Sequence, residues 1–238
     1  MKLSVIVPAL NEEKIIASTL RELKKRVPKG TQIIVADGNS IDSTRALAKK
    51  YAKVIREGSG NWTKSSIAAG RNAGAKTAAG EVFLFNDADS LPQKEFVDRA
   101  LEILKSQPDV VSVGCEVRPS VSDWNTQLFF SLLNAIVRTS TWLGRPVIAG
   151  NCVFYRASAF WKVHGFDEDM HASEDQDLSL RIRKVGRVIL LTQYTAYTSN
   201  RRLAQMGWLG LLNDWGHTTV NFLLGRKTKR YAIVREAN

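Results

Sequence analysis

The chain has 238 residues, 44% hydrophobic and 24% charged, which supports one substantial domain with a real core rather than two small ones. Its 34 Lys and Arg against 23 Asp and Glu give a formal charge of +11, favouring anionic partners: nucleic acid, phosphorylated small molecules or an anionic membrane surface. The apolar opening of "MKLSVIVPAL" is cut short by "NEEK", too short for a signal peptide, and no run reaches about 18 consecutive apolar residues. The cytoplasm is therefore the expected compartment, with peripheral attachment at the inner face of the cell membrane left open.

In chain order, "LSVIVPAL" predicts a buried strand with Pro8 at the end of its ladder. From Asn11, the residues Ile15, Ile16, Leu20, Leu23 and Val27 keep one face of a helix, with Glu12 and Glu13 in its first turn and Pro28 and Gly30 stopping it. "QIIVAD" predicts a second strand ending at Asp37, followed by the helix "DSTRALAKKYA" with Asp42 or Ser43 as its cap. "KVIRE" is a third, shorter strand; "SIAAGRNAGAKTAAG" is a small-residue helix, and "EVFLFND" a central strand.

The later half is less regular. "QKEFVDRALEILKSQ" predicts a helix, "VVSVGCEVRP" a strand, and "WNTQLFFSLLNAIVRTSTWL" a helix with a wide apolar face. "VIAGNCVFYRASAFWKVHGF" predicts a strand entering a short helix, "SEDQDLSLRIRKVG" a helix capped by Ser173 with Gln176, and "RVILLTQYTAYTS" one or two closing strands. Cys115 and Cys152 have no CxxC spacing and are expected to be buried free thiols. Strands and helices alternating, with nearly continuous apolar strands, predict an α/β fold: a mostly parallel central sheet with helices on both faces.

In such sheets ligands sit beyond the carboxyl ends of the strands, where Asp37, Asp87 and Asp89 fall. Two carboxylates two residues apart can face one site and share a hard divalent cation with a phosphate, although Asp and Ser are also ordinary loop formers. Asp37, followed by Gly, Asn and Ser, can accept from a ribose hydroxyl or a base N–H, or simply belong to a turn. Arg71 brings a fork suited to phosphate or carboxylate; the alternative is a salt bridge to the strand-end acids. Glu174, Asp175 and Asp177 open a helix, where one of them can serve as general base or all can be plain helix-start charge. Neither GxGxxG nor GxxxxGK[ST] is present, so dinucleotide and P-loop fingerprints are absent.

These segments together resemble the family 2 glycosyltransferases of the inverting, GT-A fold kind. "VIVPALNEE" resembles the opening strand and loop of that family, and "VADGNSIDST" its D-x-x-S-x-D-x-T segment at Asp37, Ser40, Asp42 and Thr44. "GRNAGAKTAAGEVFLFNDADS" resembles its R-N-x-G stretch running into a D-x-D motif, and "GFDEDMHASEDQDLSLRIRKVG" its acceptor-side segment. The resemblance implies a GT-A catalytic domain over residues 1–200, with a donor-binding half (1–90) and an acceptor-side half (91–200). It implies Asp37 at the nucleotide base, Pro8, Asn11 and Glu12 around base and ribose, and Arg71 near the nucleotide. Asp87 is implied near the ribose or metal, Asp89 on a Mg²⁺ or Mn²⁺ bridging the diphosphate, and Asp175 as catalytic base. The donor implied is a nucleotide-diphosphate sugar, UDP- or GDP-linked, and the acceptor a sugar, glycolipid or polyprenyl phosphate. The chain departs from the common D-D-G-S at Gly38 and Asn39, and has Leu91 where mannosyl transferases acting on dolichyl phosphate commonly have Gln.

Residues 201–238 form a basic amphipathic segment. Trp208, Leu211, Leu212, Trp215, Thr219, Phe222 and Leu223 keep helical spacing between Arg201, Arg202 and the later cations Arg226, Lys227, Lys229 and Arg230. It suits an anionic membrane interface, packing on the 124–137 helix, or a homodimer contact. Arg201 and Arg202 are candidates for an acceptor phosphate or the donor diphosphate. His164, His171 and His217 lack metal-site spacing, and His171 lies nearest in sequence to Asp175. Specific nucleic-acid binding is not expected, since aromatics sit in helical stripes and the strand-end acids repel phosphate without a metal. A non-catalytic basic binder on a degenerate version of this fold is the alternative.

Overall fold

The computed structural model describes residues 1–56, 66–121, 123–201, 203–211 and 213. Eight strands form one sheet: β1 (Leu3–Ala9), β2 (Gln32–Asp37), β3 (Lys53–Arg56), β4 (Val82–Asn86), β5 (Ser90–Pro92), β6 (Val110–Pro119), β7 (Cys152–Arg156) and β8 (Arg187–Thr198). Their order is β3-β2-β1-β4-β7-β6-β8-β5. β1, β2, β3 and β4 pair in parallel, as do β6 and β8, whereas β7 is antiparallel to both its neighbours and β5 is antiparallel to β8. Six of the eight strands thus run in one direction. Only Asp87, Ala88 and Asp89 separate β4 from β5, yet β5 lies at the sheet's far edge. So short a link requires the sheet to curl until that edge returns beside the end of β4.

The alternation of the strands sorts the core into two layers. Val5, Val7, Val82, Leu84, Cys152 and Phe154 face one side, packed against α1 (Ile16–Arg26) and α4 (Lys94–Ser106) through Leu20, Leu23, Phe96 and Ile103. Ile6, Phe83, Phe85, Val153 and Tyr155 face the other, against α3 (Ile67–Thr77), α6 (Ala157–Lys162) and α7 (Glu174–Ile182). Helices therefore cover both faces, and nearly continuous apolar strands are buried on each side. A third, smaller cluster joins Phe129 and Phe130 of α5 (Trp124–Trp142) to Leu203 and Leu211, with Trp208 edge-on to Phe129 at 5.1 Å. The described part of the basic C-terminal segment thus packs on α5. Arg202, Leu212, Trp215, His217 and the later tail cations lie outside the described residues.

Local differences from the sequence expectations have identifiable causes. The first helix begins at Ile16 rather than Asn11: Asn11 takes φ +54°, outside the right-handed helical region, and the N–H groups of Asn11, Glu12 and Glu13 bond to side chains of residues 40–44. Ser173 takes φ +61° and caps nothing with its side chain; three acids in the first turn of α7 stand at its positive end instead. Ser43 holds the N-cap position of α2 (Thr44–Ala48) without a side-chain cap bond, and Asp42, one residue before it, accepts from the Thr44 N–H at 2.9 Å. Both cysteines are buried and free, as expected. Among the described residues no helix is long and apolar enough to cross a membrane.

The close approach of α3 to β1 depends on Gly74: a Cβ there would run into Cγ2 of the fully buried Ile6. Alanine is the better helix former by about 1 kcal/mol. Overpacking a closed core costs roughly 1–3 kcal/mol. Gly74→Ala is therefore expected to lower the melting temperature by several degrees, and a rise on thermal unfolding would show that the interface yields.

Candidate functional site

Two loops at the carboxyl ends of β1 and β2 are stitched into one surface. Asn11 takes φ +54°, a left-handed conformation that Asn tolerates better than most residues. Its N–H donates to Ser40 Oγ at 2.9 Å and its Oδ1 accepts from the Ile41 N–H at 3.0 Å. The Glu12 N–H donates to Thr44 Oγ1 (2.7 Å), the Glu13 N–H to Asp42, and the Ser43 N–H to the Glu13 carboxylate (2.9 Å). Ser40, Asp42 and Thr44 therefore build the loop that Asn11 and Glu12 belong to. Pro8 sits beyond the β1–β4 ladder, which ends at Ile6 opposite Phe85, so its missing N–H leaves that ladder intact.

Asp37 closes β2 and is fully buried. Its Oδ2 accepts from the Ser40 N–H at 3.1 Å and lies 3.8 Å from Arg45 Nε, while its Oδ1 has no hydrogen-bond partner.

The turn between β4 and β5 carries the other two acids. Asn86 braces it, donating from Nδ2 to the carbonyls of Asp87 and Ser90 at 2.8 Å each. Asp87 and Asp89 then engage different partners. Asp87 accepts from Arg71 Nη2 at 2.9 Å; Asp89 accepts from Ser199 and lies 3.4 Å from Arg201. Arg201 reaches across to Glu12 with a two-pronged contact at 2.7 and 2.9 Å, the geometry that suits guanidinium and carboxylate best. Among the described residues no three His, Cys, Asp or Glu side chains cluster to hold a metal by themselves. Hard cations such as Mg²⁺ and Mn²⁺ nonetheless bind through one or two carboxylates completed by phosphate oxygens and water. The carboxylates of Asp87 and Asp89 are oxygen donors of the kind such an ion takes, and here Arg71 and Arg201 supply the cations that face them.

Arg71, on α3, is 2% exposed and stands beneath the turn. Nη1 donates to Glu174 at 2.8 Å, and Nη2 to Asp87 and to the Gly150 carbonyl at 2.9 and 3.1 Å. Burial works against its charge, but Asp87, Glu174 and Asp175 outweigh that and hold it protonated above its ordinary range. Burial raises the Asp87 carboxyl, and Asp89 and Asp175 add to the rise against the pull of Arg71. Glu174 is pushed up to about 7, by burial first and the adjacent Asp175 second. Asp175 is oriented by backbone: the Gly150 N–H donates to Oδ2 at 2.9 Å and the Gln176 N–H to Oδ1 at 2.8 Å.

Asp37, Asn11 and Glu12 thus meet at one sheet end, and Asp87, Asp89, Asp175 and Arg201 are linked to it through Arg71 and Glu12. Of the two readings of Arg71, the structure shows the salt bridge to a strand-end acid: its Nη atoms are engaged by Asp87, Glu174 and the Gly150 carbonyl, so it holds the site together from below. Gly150 and Ser199 gave no sequence signal, since their roles come from backbone and from a strand end brought near by the curl. Asn72 is a further contributor, bridging α3 to the 166–168 loop through Phe166 and Glu168. The "RN" pair at the start of the small-residue stretch is the signal that could have pointed to it.

The family model for Glycosyl transferase family 2 matches residues 4–164. The succinoglycan biosynthesis protein ExoA of Rhizobium meliloti is 26% identical over 219 residues, covering 86% of this chain and 65% of that protein. The poly(ribitol-phosphate) beta-N-acetylglucosaminyltransferase TarS of Staphylococcus aureus is 27% identical over 222 residues, covering 85% of this chain and 36% of its own length. The chain therefore spans less than two thirds of these relatives. Its structure resembles that of the mannosyltransferase PcManGT from Pyrobaculum calidifontis in complex with GDP-Man and Mn²⁺, with a TM-score of 0.68 at 19% identity over 95% of this chain and 66% of the other.

Glu174 yields a pH dependence. An acid whose folded pKa lies above its unfolded value binds more protons when folded, so its stabilising contribution is present below about pH 4 and fades as pH rises through the folded value. Relative to Glu174→Gln, which keeps an acceptor for Arg71, the unaltered protein is expected to lose melting temperature between about pH 5 and pH 8. Parallel melting curves across that window would remove Glu174 as the titrating group.

Proposed function

The chain belongs to glycosyl transferase family 2, and from that membership and the geometry of the site we propose that it transfers a sugar, with inversion, from a nucleotide-diphosphate donor to an acceptor hydroxyl. The observation that carries this reading is the shared scaffold of Asp87 and Asp175. Arg71 bonds Asp87 and the Gly150 carbonyl, while the Gly150 N–H bonds Asp175. One rigid peptide and one buried guanidinium thus fix the donor-side and acceptor-side carboxylates relative to each other. Displacement at a single carbon needs that kind of fixed separation.

In this reading the nucleotide lies over the 11–13 and 37–41 loops, with its base at Asp37, its ribose near Pro8, Asn11 and Glu12, and its diphosphate at the 87–89 turn. Asp89, with Asp87 beside it, would hold a Mg²⁺ or Mn²⁺ ion, which supplies charge neutralisation for the departing diphosphate. Asp175 accepts the proton of the acceptor hydroxyl as its oxygen attacks the anomeric carbon opposite the diphosphate. The bond from that carbon to the diphosphate oxygen breaks, the new glycosidic bond forms on the other face, and the configuration inverts. Glu174 and Arg71 keep the Asp175 segment in register, and Arg201 offers a cation to the diphosphate. A neutral hydroxyl suits this site better than a lipid phosphate. Such a phosphate is already ionised, needs no base, and would meet two adjacent acids at 174 and 175.

Two variants separate donor binding from chemistry. UDP or GDP with Mn²⁺ is expected to raise the melting temperature of the unaltered protein, since a ligand bound only by the folded state stabilises it. Asp89→Asn is expected to lose the metal-dependent part of that shift. Asp175→Asn is expected to keep the shift while release of nucleoside diphosphate from the sugar donor falls by roughly 10²–10⁴. Full turnover by Asp175→Asn would move the base elsewhere.

A further inference from the structure

Helix α5 is apolar on two sides, and the fold uses one of them. Phe129 and Phe130 are buried against Val117, Leu203 and Leu211. On the other side, Trp124 and Trp142 are 73% and 84% exposed, and Leu132, Ile136 and Leu143 are each more than half exposed. Steps of four residues carry this stripe from Trp124 through Leu128 and Leu132 to Ile136. The two Trp open and close the helix. About five turns of about 3.6 residues separate them, so they leave α5 on the same side at its two ends. The sequence has no Asp or Glu from Trp124 to Phe166. Arg138, Arg145 and Arg183 are exposed near the carboxyl end of the helix, Arg183 beside Gly144 and Arg138 facing the buried Glu116 at 3.4 Å. Exposed apolar patches of this extent mark interaction sites.

We propose that this face of α5 lies on an anionic phospholipid surface. None of the proposed donor or acceptor residues is on α5, so the inference stands apart from the reading of that site. A helix of 19 residues is about 28 Å long, and one side of it about 10 Å wide, which gives a stripe of roughly 300 Å². A stable protein–protein interface takes about 800 Å² from each partner, so the stripe is small for a second copy of the chain. Residues 201–238 carry seven Lys or Arg against Asp214 and Glu236. That basic segment brings like charge to a face already lined by cations and free of acids, whereas anionic headgroups complement both. An interfacial helix sinks its apolar side to the boundary of headgroup and acyl chain, the level that Trp favours, and flanking cations add attraction to anionic lipid. Among the described residues no helix is long and apolar enough to cross a membrane, so α5 lies along the surface.

The test is co-sedimentation of the full chain with vesicles of phosphatidylcholine alone and of phosphatidylcholine with phosphatidylglycerol, alongside size-exclusion chromatography and thermal unfolding. One variant joins Leu132→Ser to Ile136→Ser, and a second joins Trp124→Ser to Trp142→Ser. The unaltered chain is expected to bind the anionic vesicles about tenfold or more tightly than the neutral ones. Each variant is expected to lose about tenfold or more of that binding, with melting temperature and elution unchanged. Absence of binding, or no preference for the anionic vesicles, overturns the proposal. Undiminished binding in either variant, with loss on changing Arg226, Lys227, Lys229 and Arg230 to Gln, moves the contact to the tail and overturns it too. A dimer that the variants dissociate gives the face to a second copy. A fall of several degrees in the melting temperature of both variants shows the face to be covered within the chain, and either result refutes the lipid assignment.

Discussion

The structure turns on one buried guanidinium. Arg71 lies under the sheet's carboxyl end and bonds a residue from the β4–β5 turn, one from the segment entering β7 and one from the first turn of α7. Charges taken out of water are costly, and such a cluster persists only when nearly every donor and acceptor is matched. Arg71 meets that condition at both Nη atoms but not at Nε, which is buried without a hydrogen-bond partner, and the ring of Phe166 lies 5.3 Å from its central carbon. Removing one partner from a network of this kind strands the rest, which is worse than never having built it. The network is therefore better understood as a device for position than as a source of stability. It converts three segments from distant parts of the chain into one rigid floor.

The small-residue character of α3 follows from that floor. Arg71 must reach its partners from a helix pressed against β1, and Gly74 permits the approach. Gly150 is constrained from the other direction: a Cβ there would meet the Arg71 guanidinium at 2.9–3.1 Å. Its peptide can thus serve Arg71 through the carbonyl and Asp175 through the N–H only because no side chain intervenes. Both glycines are consequences of where one cation has to sit.

Much of this was legible in the sequence. The apolar runs around Val5, Val35 and Leu84 fixed the central strands, and the acids at their ends fell where ligands bind in open sheets. What the sequence alone could not show was which contacts belong to the protein itself. Ser40, Asp42 and Thr44 hold up the 11–13 loop, a pairing across about thirty residues that no local periodicity encodes. The same loop delays the start of α1, because Asn11 sits at φ +54° and left-handed backbone cannot open a right-handed helix. The strand β5 escaped notice for a related reason: three residues carry no period, and its pairing with β8 exists only because the sheet curls.

The curl also brings the end of β8 to the loop after β1 and the turn after β4. Ser199 and Arg201 follow β8 directly, and both bond Asp89, while Arg201 also bonds Glu12 from the loop after β1. The chain segment that leads onward to the α5 contact is thus anchored to the carboxylates at which a diphosphate is proposed to sit. Arg201 is about a quarter exposed and its partners are acids of single charge. A diphosphate at the 87–89 turn adds an anion of higher charge within the same neighbourhood, and a guanidinium fork suits phosphate as well as carboxylate. Arg201 thus ties the 11–13 loop and the 87–89 turn to the segment packed on α5.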